Sequence, residues 1–269
     1  SQEVDGGRCA ALIAYQRDSD GAHEHWRIVD QVPGLRAALA LRTGGPWFWS
    51  FASQVTHHAI EANPRDTVVY LDTDTFAFGD LRPAIDEVLA AGADVGMMTH
   101  RFPPHRQATH GPRGGWLVGF NVFAPTIRAR AAAAWWAAMV RGRCELQDPG
   151  DEYLDIQPGL AGDQAPIHAL HRIAKVHEIA TPGMLSSWNA DGYDYFQPLN
   201  GPVMVQFDDP GAKQDLVPLR FWNGHEFRFS PTGDVTHRTA YPIPPRCETL
   251  VVGPWCEAVR AAAKELAAT

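Results

Sequence analysis

The fold is decided by residues 67–76, which read TVVYLDTDTF. Five β-forming, mostly apolar residues run directly into two acids, and such a run is typical of a strand buried on both faces of an α/β sheet. Ligands of such sheets bind beyond the carboxyl ends of the strands, where Asp72 and Asp74 stand. Alternate residues of an extended chain point the same way, so we expect both carboxylates to converge. Converging carboxylates repel unless a cation joins them, and Mg²⁺ or Mn²⁺ carrying a phosphate suits this pair.

The Asp-x-Asp pattern is weak when taken alone, and the chain contains a second copy, Asp18-Ser19-Asp20. That copy lies between an arginine and a glycine, which is turn chemistry, and predicts a solvated turn. For the first copy, the bland alternative is a strand-end cap without a ligand. The apolar strand that precedes Asp72 favours the interpretation of Asp72 and Asp74 as a ligand-binding site.

Composition narrows the class of protein. The chain has 269 residues, 45% of them hydrophobic, and a net charge of −8. The acidic balance argues against a nucleic-acid-binding protein, which needs cations for the phosphates. Four scattered cysteines lack metal-binding spacing and are interpreted as reduced thiols, with a Cys247–Cys256 bridge as the alternative. With no signal-peptide pattern and no apolar run of membrane-spanning length, we expect a cytoplasmic protein, with peripheral association at the inner membrane as the alternative.

Strands and helices are predicted to alternate along the chain, which indicates an α/β domain. The predicted strands are 9–15, 67–71, 93–99, 116–124, 172–180 and 203–207. The predicted helices are 35–41, 46–60, 80–91, 126–140 and 254–266. Residues 100–115 form a long loop rich in Pro, Gly, His and Arg, which is typical of a functional or mobile segment.

Glycine and asparagine interrupt the apolar strand at Gly119-Phe120-Asn121. Glycine weakens a strand, so it often marks a bulge or a close approach of another group. Asn121 would then offer an amide to a hydroxyl, whereas the alternative is a local kink with a satisfied core asparagine.

Two later segments carry further candidate groups. In Gly162-Asp163-Gln164, an acid and an amide at the start of a helix could bind sugar hydroxyls, or Asp163 could simply cap the helix. Residues 208–213, DDPGAK, follow a strand and could supply an oxygen ligand and a lysine to a metal–diphosphate site. An ordinary turn is the alternative there.

Aromatic and basic residues are harder to assign. The Trp135-Trp136 pair on an amphipathic helix predicts packing. Histidines and arginines of the loop at 100–115 could hold an anionic ligand, and a solvated loop is the equal alternative.

Taken in order, these motifs resemble the bacterial nucleotide-diphospho-sugar glycosyltransferases of the GT-A class, related to the glycogenin-like retaining enzymes. The resemblance covers about residues 36–215. It rests on a series of short segments in the expected order: VVYLDTD at 68–74, HRFPP at 100–104, VGFN at 118–121, AWW at 134–136, GDQ at 162–164, PG at 182–183, WN at 188–189 and FDDPGAK at 207–213.

The resemblance implies a GT-A (Rossmann-like) single domain over 1–269, with a core at 9–215 and a C-terminal extension at 216–269. The central sheet would be mixed and mostly parallel, with helices on both faces. It also implies a metal-dependent transfer of a sugar to an acceptor hydroxyl with retention of configuration. The donor would be a nucleotide-diphospho-sugar, UDP in particular. The acceptor would be a glycan, a lipid-linked molecule or a small molecule.

The same resemblance assigns roles to individual residues. Mn²⁺ or Mg²⁺ would be held by Asp72, Asp74 and Asp208, the last standing where the family often has histidine. Thr73, Lys213 and Arg42 would join the two acids of the strand in binding the donor. Asn121, Asp163 and Gln164 would face the reacting sugar, with Asp163 near the anomeric carbon.

Two other functions remain open at this point. A haloacid-dehalogenase-like phosphatase also carries Asp-x-Asp after a buried strand, and residues 97–99, MMT, would be its second motif. However, no lysine lies between Thr99 and Lys175. The other is a nucleotide-sugar-binding protein without turnover, since a fold alone does not fix a function.

Overall fold

The computed structural model describes residues 45–72, 74–101, 115–144, 162–207, 215–225, 227–229, 235–237 and 242–267. Its helices are α1 Gly45–Ala62, α2 Arg82–Ala90, α3 Ile127–Arg143, α4 Gln164–Ile167, α5 Pro245–Cys247 and α6 Gly253–Ala267. Short 3₁₀ turns span Leu170–Arg172 and Ser187–Gly192, and a π-helical turn, Glu248–Val252, joins α5 to α6. Its strands are β1 Val68–Leu71, β2 Thr75–Ala77, β3 Val95–Thr99, β4 Trp116–Phe123, β5 Val176–Glu178, β6 Met184–Ser186, β7 Tyr193–Phe196, β8 Met204–Phe207, β9 Val217–Pro218, β10 Phe221–Asn223, β11 Phe227–Phe229 and β12 Val235–His237.

The central sheet has the order β1-β4-β3-β5. Strand β4 is antiparallel to both of its neighbours, whereas β3 and β5 are parallel. The expected mixed sheet is confirmed, but "mostly parallel" is wrong for the described strands, where most pairs are antiparallel. Strands β3 and β4 are antiparallel because no described helix connects them. A parallel neighbour needs a long crossover, usually helical.

Helices cover both faces of this sheet, as expected for an α/β fold. Alternate residues of β3 separate to the two sides: Val95 and Met97 join the cluster around Trp136 of α3, and Met98 joins the cluster around Val88 of α2. Gly96 lets α2 lie close to the sheet, because a Cβ there would come within 2.2 Å of a methyl group of Val88. Helix α1 packs with α3 on the first face.

A second layer is built from small sheets, and of their described strands only β8 was predicted from the sequence, at 203–207. Strand β10 lies between β2 and β6, antiparallel to the former and parallel to the latter. Strands β7, β8 and β9 form an antiparallel meander. The C-terminal helices close this layer, where Trp255 packs with Trp222 and Tyr195.

Two expectations about the chemistry of the chain can also be compared with the structure. Cys144, Cys247 and Cys256 are buried thiols that form no disulfide, as expected for these three, and the alternative Cys247–Cys256 bridge does not form. None of the helices in the described ranges has both the length and the apolar character needed to cross a membrane.

Glu87 fastens α2 to the loop after β5, and its loss should show as a change in pH-dependent stability. Its carboxylate accepts hydrogen bonds from His177 Nε2 (2.8 Å), Ala180 N (2.7 Å) and the backbone and hydroxyl of Thr181 (2.8 and 2.5 Å). Burial opposes its charge, but these hydrogen bonds prevail and lower the pKa of Glu87. The stabilisation is therefore complete above the unfolded-state pKa of 4.5 and lost as the pH falls further.

We expect Glu87→Gln to lower the free energy of unfolding at pH 7 by about 1–2 kcal/mol. The penalty should shrink towards pH 3, since protonation weakens the wild-type carboxylate in the same way. Urea denaturation at both pH values measures it. Asp86→Asn is the matched control, because Asp86 is exposed on the same helix. An equal penalty at both pH values would contradict this role.

Candidate active site

The two acids of the central motif lie at the end of β1, where the chain turns. Strand β1 ends at Leu71, and Asp72 O then accepts hydrogen bonds from Thr75 N (3.2 Å) and Thr75 Oγ1 (2.6 Å). The expected extended geometry is therefore wrong at this point, because a hydrogen-bonded turn separates the acids. The turn is attached to β4 through Asp72 N, which donates to Gly119 O at 3.1 Å.

The two carboxylates nevertheless interact electrostatically. Burial raises the pKa of Asp72, and its hydrogen bond from Tyr70 Oη (2.5 Å) opposes the shift. Burial, followed by the charge of Asp72, raises the pKa of Asp74 to about 7. The Oδ1 atom of Asp74 is buried and has no hydrogen-bond partner among the described residues. This arrangement is unfavourable for two anions and would be relieved by a cation.

A third carboxylate, Asp163, joins this group from a distant part of the sequence. It is 6% exposed, and burial, followed by the charge of Asp72, raises its pKa well above the usual value. Asp163 occupies the N-cap position of α4 without a capping side-chain hydrogen bond, and the backbone N–H groups of Asp163 and Gln164 partly oppose the rise of its pKa.

The backbone at Asp163 is fixed by two tryptophans. Trp136 Nε1 donates to Asp163 O at 2.9 Å, which adds a positioning role to its predicted packing. The preceding Gly162 has φ +61°, and a Cβ there would lie 2.4 Å from the Trp49 ring. Only glycine suits both the left-handed conformation and the contact.

The bulge and the close approach that the sequence predicted around Gly119 are both present, and the role of Asn121 stays a prediction. Asn121 is fully buried, and its Nδ2 donates to Leu117 O at 3.2 Å, while Oδ1 has no partner in the described part of the chain. The register against β3 shifts here, as a bulge requires. The group that approaches Gly119 is the side chain of Asn223 in β10, whose Nδ2 would lie 2.1 Å from a Cβ at that position.

Gln164 connects the acid cluster to a group of buried rings. Its Nε2 lies 3.3 Å from Nε2 of His100. Burial, helped by His225 and His168, lowers the pKa of His100 to about 3, so this imidazole is neutral at pH 7 and can accept from the amide. His100 therefore brings no positive charge for an anionic ligand. Trp188 contacts His100 edge-on at 5.3 Å and stacks with His225 at 4.3 Å.

The chemistry of these residues suits a hard divalent cation. Carboxylate oxygens are the preferred ligands of Mg²⁺, which usually takes one or two carboxylates and fills its other positions with water and substrate phosphates. Across the described ranges, no three His, Cys, Asp or Glu side chains are arranged to hold a metal ion by themselves. Asp72 and Asp74 are therefore the two carboxylates of this site that could contribute to a metal ion whose other ligands are water or substrate. The other predicted donor and metal residues, Arg42, Thr73, Asp208 and Lys213, lie outside the described residues.

Three residues of this site escaped the sequence interpretation. Tyr70 looked like an ordinary strand residue, although its position two before Asp72 was a usable signal. Asn223 and His225 belong to a C-terminal segment that matched no motif. They approach the acids because Gly224 N donates to Asp74 O at 2.8 Å and because β10 pairs with β2. Comparison of the chain with protein-family models, with curated proteins and with solved structures returned no match.

Proposed function

We propose that the protein is a metal-dependent glycosyltransferase that moves a sugar from a nucleotide-diphospho-sugar to an acceptor hydroxyl, with retention of configuration. The observation that carries this proposal is the approach of three carboxylates, Asp72, Asp74 and Asp163, at the carboxyl end of β1, the edge strand of the described central sheet. Their pKa values are all raised by burial. Such a cluster suits a cationic or charge-separating reaction centre rather than a structural role.

The roles follow from position. Asp72 and Asp74 would hold Mn²⁺ or Mg²⁺, which would offset the negative charge of the donor diphosphate. Tyr70 holds one oxygen of Asp72 in place through its hydrogen bond. Asp163 is directed at the same region by a fixed backbone, and it would stabilise positive charge developing on the sugar. Asn121 and Gln164 would orient sugar or acceptor hydroxyls.

The position of Thr99 argues against the phosphatase. Its second motif would require this residue to reach the phosphate held by Asp72. Strand β4 separates β1 from β3, which places the two strands about 10 Å apart. Moreover, Thr99 Oγ1 is engaged by Glu178 at 3.0 Å.

Ligand-dependent melting tests the proposal. We expect one of UDP-, GDP- or dTDP-sugars to raise the melting temperature in the presence of Mn²⁺ and not in the presence of EDTA. At a ligand concentration of about 100 Kd the gain is about 2.7 kcal/mol, or roughly 5–10 °C for a chain of this size. Release of the nucleoside diphosphate on incubation with the donor then separates an enzyme from a protein that only binds. No shift with any nucleotide, together with release of phosphate from an aryl phosphate, would overturn the proposal.

A further inference from the structure

Backbone hydrogen bonds of Asn223 and of the next residue fix the position of Asn223 relative to Asp74. It ends β10, where it lies opposite Thr75 of β2 and next to Ser186 of β6. The following residue, Gly224, donates its N–H to Asp74 O at 2.8 Å. The position of Asn223 is therefore fixed relative to the acid motif without any contribution from its own side chain.

The side chain of Asn223 lies on the Cα of Gly119. A Cβ at Gly119 would approach Asn223 Nδ2 to 2.1 Å and Cγ to 3.2 Å, so only glycine leaves room for the amide. Gly119 is in turn joined to the acid motif through its carbonyl, which accepts from Asp72 N. Glycine in a buried strand lowers stability. At position 119 glycine leaves the space that the Asn223 amide occupies, and this explains why glycine stands there.

The amide oxygen of Asn223 needs a hydrogen-bond donor. The residue is 2% exposed, and its Oδ1 has no partner among the described residues. Asn121, two residues beyond Gly119 on the same strand, presents the same deficiency at its own Oδ1. A buried oxygen without a donor destabilises the protein. Two such oxygens lie on β4 and β10, the strands whose backbone is hydrogen-bonded to the acid motif, and they point to a ligand that donates hydrogen bonds.

We infer that Asn223 recognises hydroxyl groups of the transferred sugar, which makes it a specificity-determining residue of the candidate active site. This inference rests on the proposed glycosyltransferase function. An uncharged amide presents both a donor and an acceptor, which matches a hydroxyl. A diphosphate would instead be matched by cations. A pocket that satisfies buried polar groups through a substrate hydroxyl discriminates strongly against ligands that lack it.

The test measures the affinity that the sugar adds, which is the ratio of Kd for a nucleoside diphosphate to Kd for its sugar conjugate. This ratio is compared between wild-type protein and Asn223→Leu, a substitution that keeps the side-chain volume and removes the polar atoms. Isothermal titration with Mn²⁺ measures Kd for UDP, GDP and dTDP, and for UDP-glucose, UDP-galactose, GDP-mannose and dTDP-glucose. We expect Asn223→Leu to bind the nucleoside diphosphate within about 3-fold of wild type and to lose about 10-fold or more of the affinity added by the sugar. Thermal melting of the ligand-free variant should be unchanged or higher, because an unsatisfied oxygen has been removed.

Asn63→Leu is the matched control, since Asn63 is half-buried at the opposite end of β1, where its Nδ2 donates to Ala59 O. It should retain the full contribution of the sugar. Gly119→Ala is the second variant: it keeps Asn223 but displaces its amide, and it should reproduce the loss.

Each alternative result has a distinct meaning. A sugar contribution that is absent in wild type or unchanged in Asn223→Leu overturns the inference about Asn223 alone. An equal loss for the nucleoside diphosphate and its sugar also overturns it, because Asn223 would then act on the metal or the diphosphate. If wild-type protein binds no nucleotide of either set, the proposed function fails, and the role of Asn223 fails with it.

Discussion

Replacing Asp74 by asparagine is expected to raise the melting temperature of the metal-free protein and to abolish its stabilisation by Mn²⁺ with a nucleotide. Asp74 is half-buried, with a buried Oδ1, and burial followed by the charge of Asp72 raises its pKa to about 7. Asparagine keeps the shape and removes the charge. A gain of about 1–2 kcal/mol, or roughly 2–8 °C, follows from relieving the repulsion. The loss of ligand-dependent stabilisation should be complete, with turnover reduced by about 10²-fold or more.

The stability gain should depend on pH in a defined direction. In the unfolded chain Asp74 has a pKa of 3.8, whereas in the folded protein it is about 7. Below the unfolded value both states are protonated, and asparagine brings no advantage. Between these values the folded state retains a proton that the unfolded state has lost, so wild-type stability falls as the pH rises. The advantage of Asp74→Asn therefore grows from about pH 4 and levels off above about pH 7.

Calorimetric melts of both proteins at pH 4, 6 and 8, with EDTA or Mn²⁺, measure this prediction. Asp66→Asn is the matched control, because Asp66 is exposed at the opposite end of the same strand. It should change neither quantity. A destabilised metal-free Asp74→Asn protein would show that Asp74 has a structural partner, and retained Mn²⁺ dependence would remove it from the metal site.

Local patterns were sufficient for the elements that bury a continuous face. Strands β1, β3 and β4 and helices α1, α2 and α3 were all predicted within a few residues, because apolar runs and helical periodicity reflect burial. The expected burial of β1 on both faces is wrong, since β1 is the edge strand of the described sheet and its residues are half-buried or exposed. The acid pair was singled out because it ends an apolar strand, and Asp163 because it stands at the start of a predicted helix. Their roles in binding and catalysis stay predictions.

Elements that depend on distant partners could not be found in this way. Strand β10 has three residues, and its place is set by pairing with β2 and β6, which are far away in sequence. Asn223 becomes a candidate site residue only because its side chain packs on Gly119, which is distant in the sequence. Strand direction was recoverable in principle: the long Pro- and Gly-rich segment between β3 and β4 is a poor crossover helix, and this should have predicted an antiparallel β4.

Replacing Asp163 by asparagine is expected to reduce kcat by about 10²–10⁴-fold while leaving donor affinity within about 3-fold of wild type. In the proposed mechanism Asp163 acts on the charge that develops on the sugar, so its contribution arises mainly in the transition state. Burial disfavours the charge of Asp163, whereas hydrogen bonds from the backbone N–H groups of Asp163 and Gln164 favour it. Asparagine keeps one oxygen that can accept such a bond and removes the charge, so the melting temperature should be unchanged or slightly higher.

Asp94 provides the contrasting control, because it is a buried acid whose oxygens are both engaged. Oδ1 accepts from Thr126 Oγ1 at 2.7 Å, and Oδ2 accepts from Lys175 N at 2.8 Å. Asparagine cannot accept with its Nδ2, so Asp94→Asn should lose about 1–3 kcal/mol of stability and keep its kcat. Steady-state kinetics with the donor identified by melting, together with urea denaturation of both variants, measure the contrast. A kcat of Asp163→Asn equal to wild type would remove this carboxylate from the reacting centre, even if Asp72 and Asp74 proved to bind the metal.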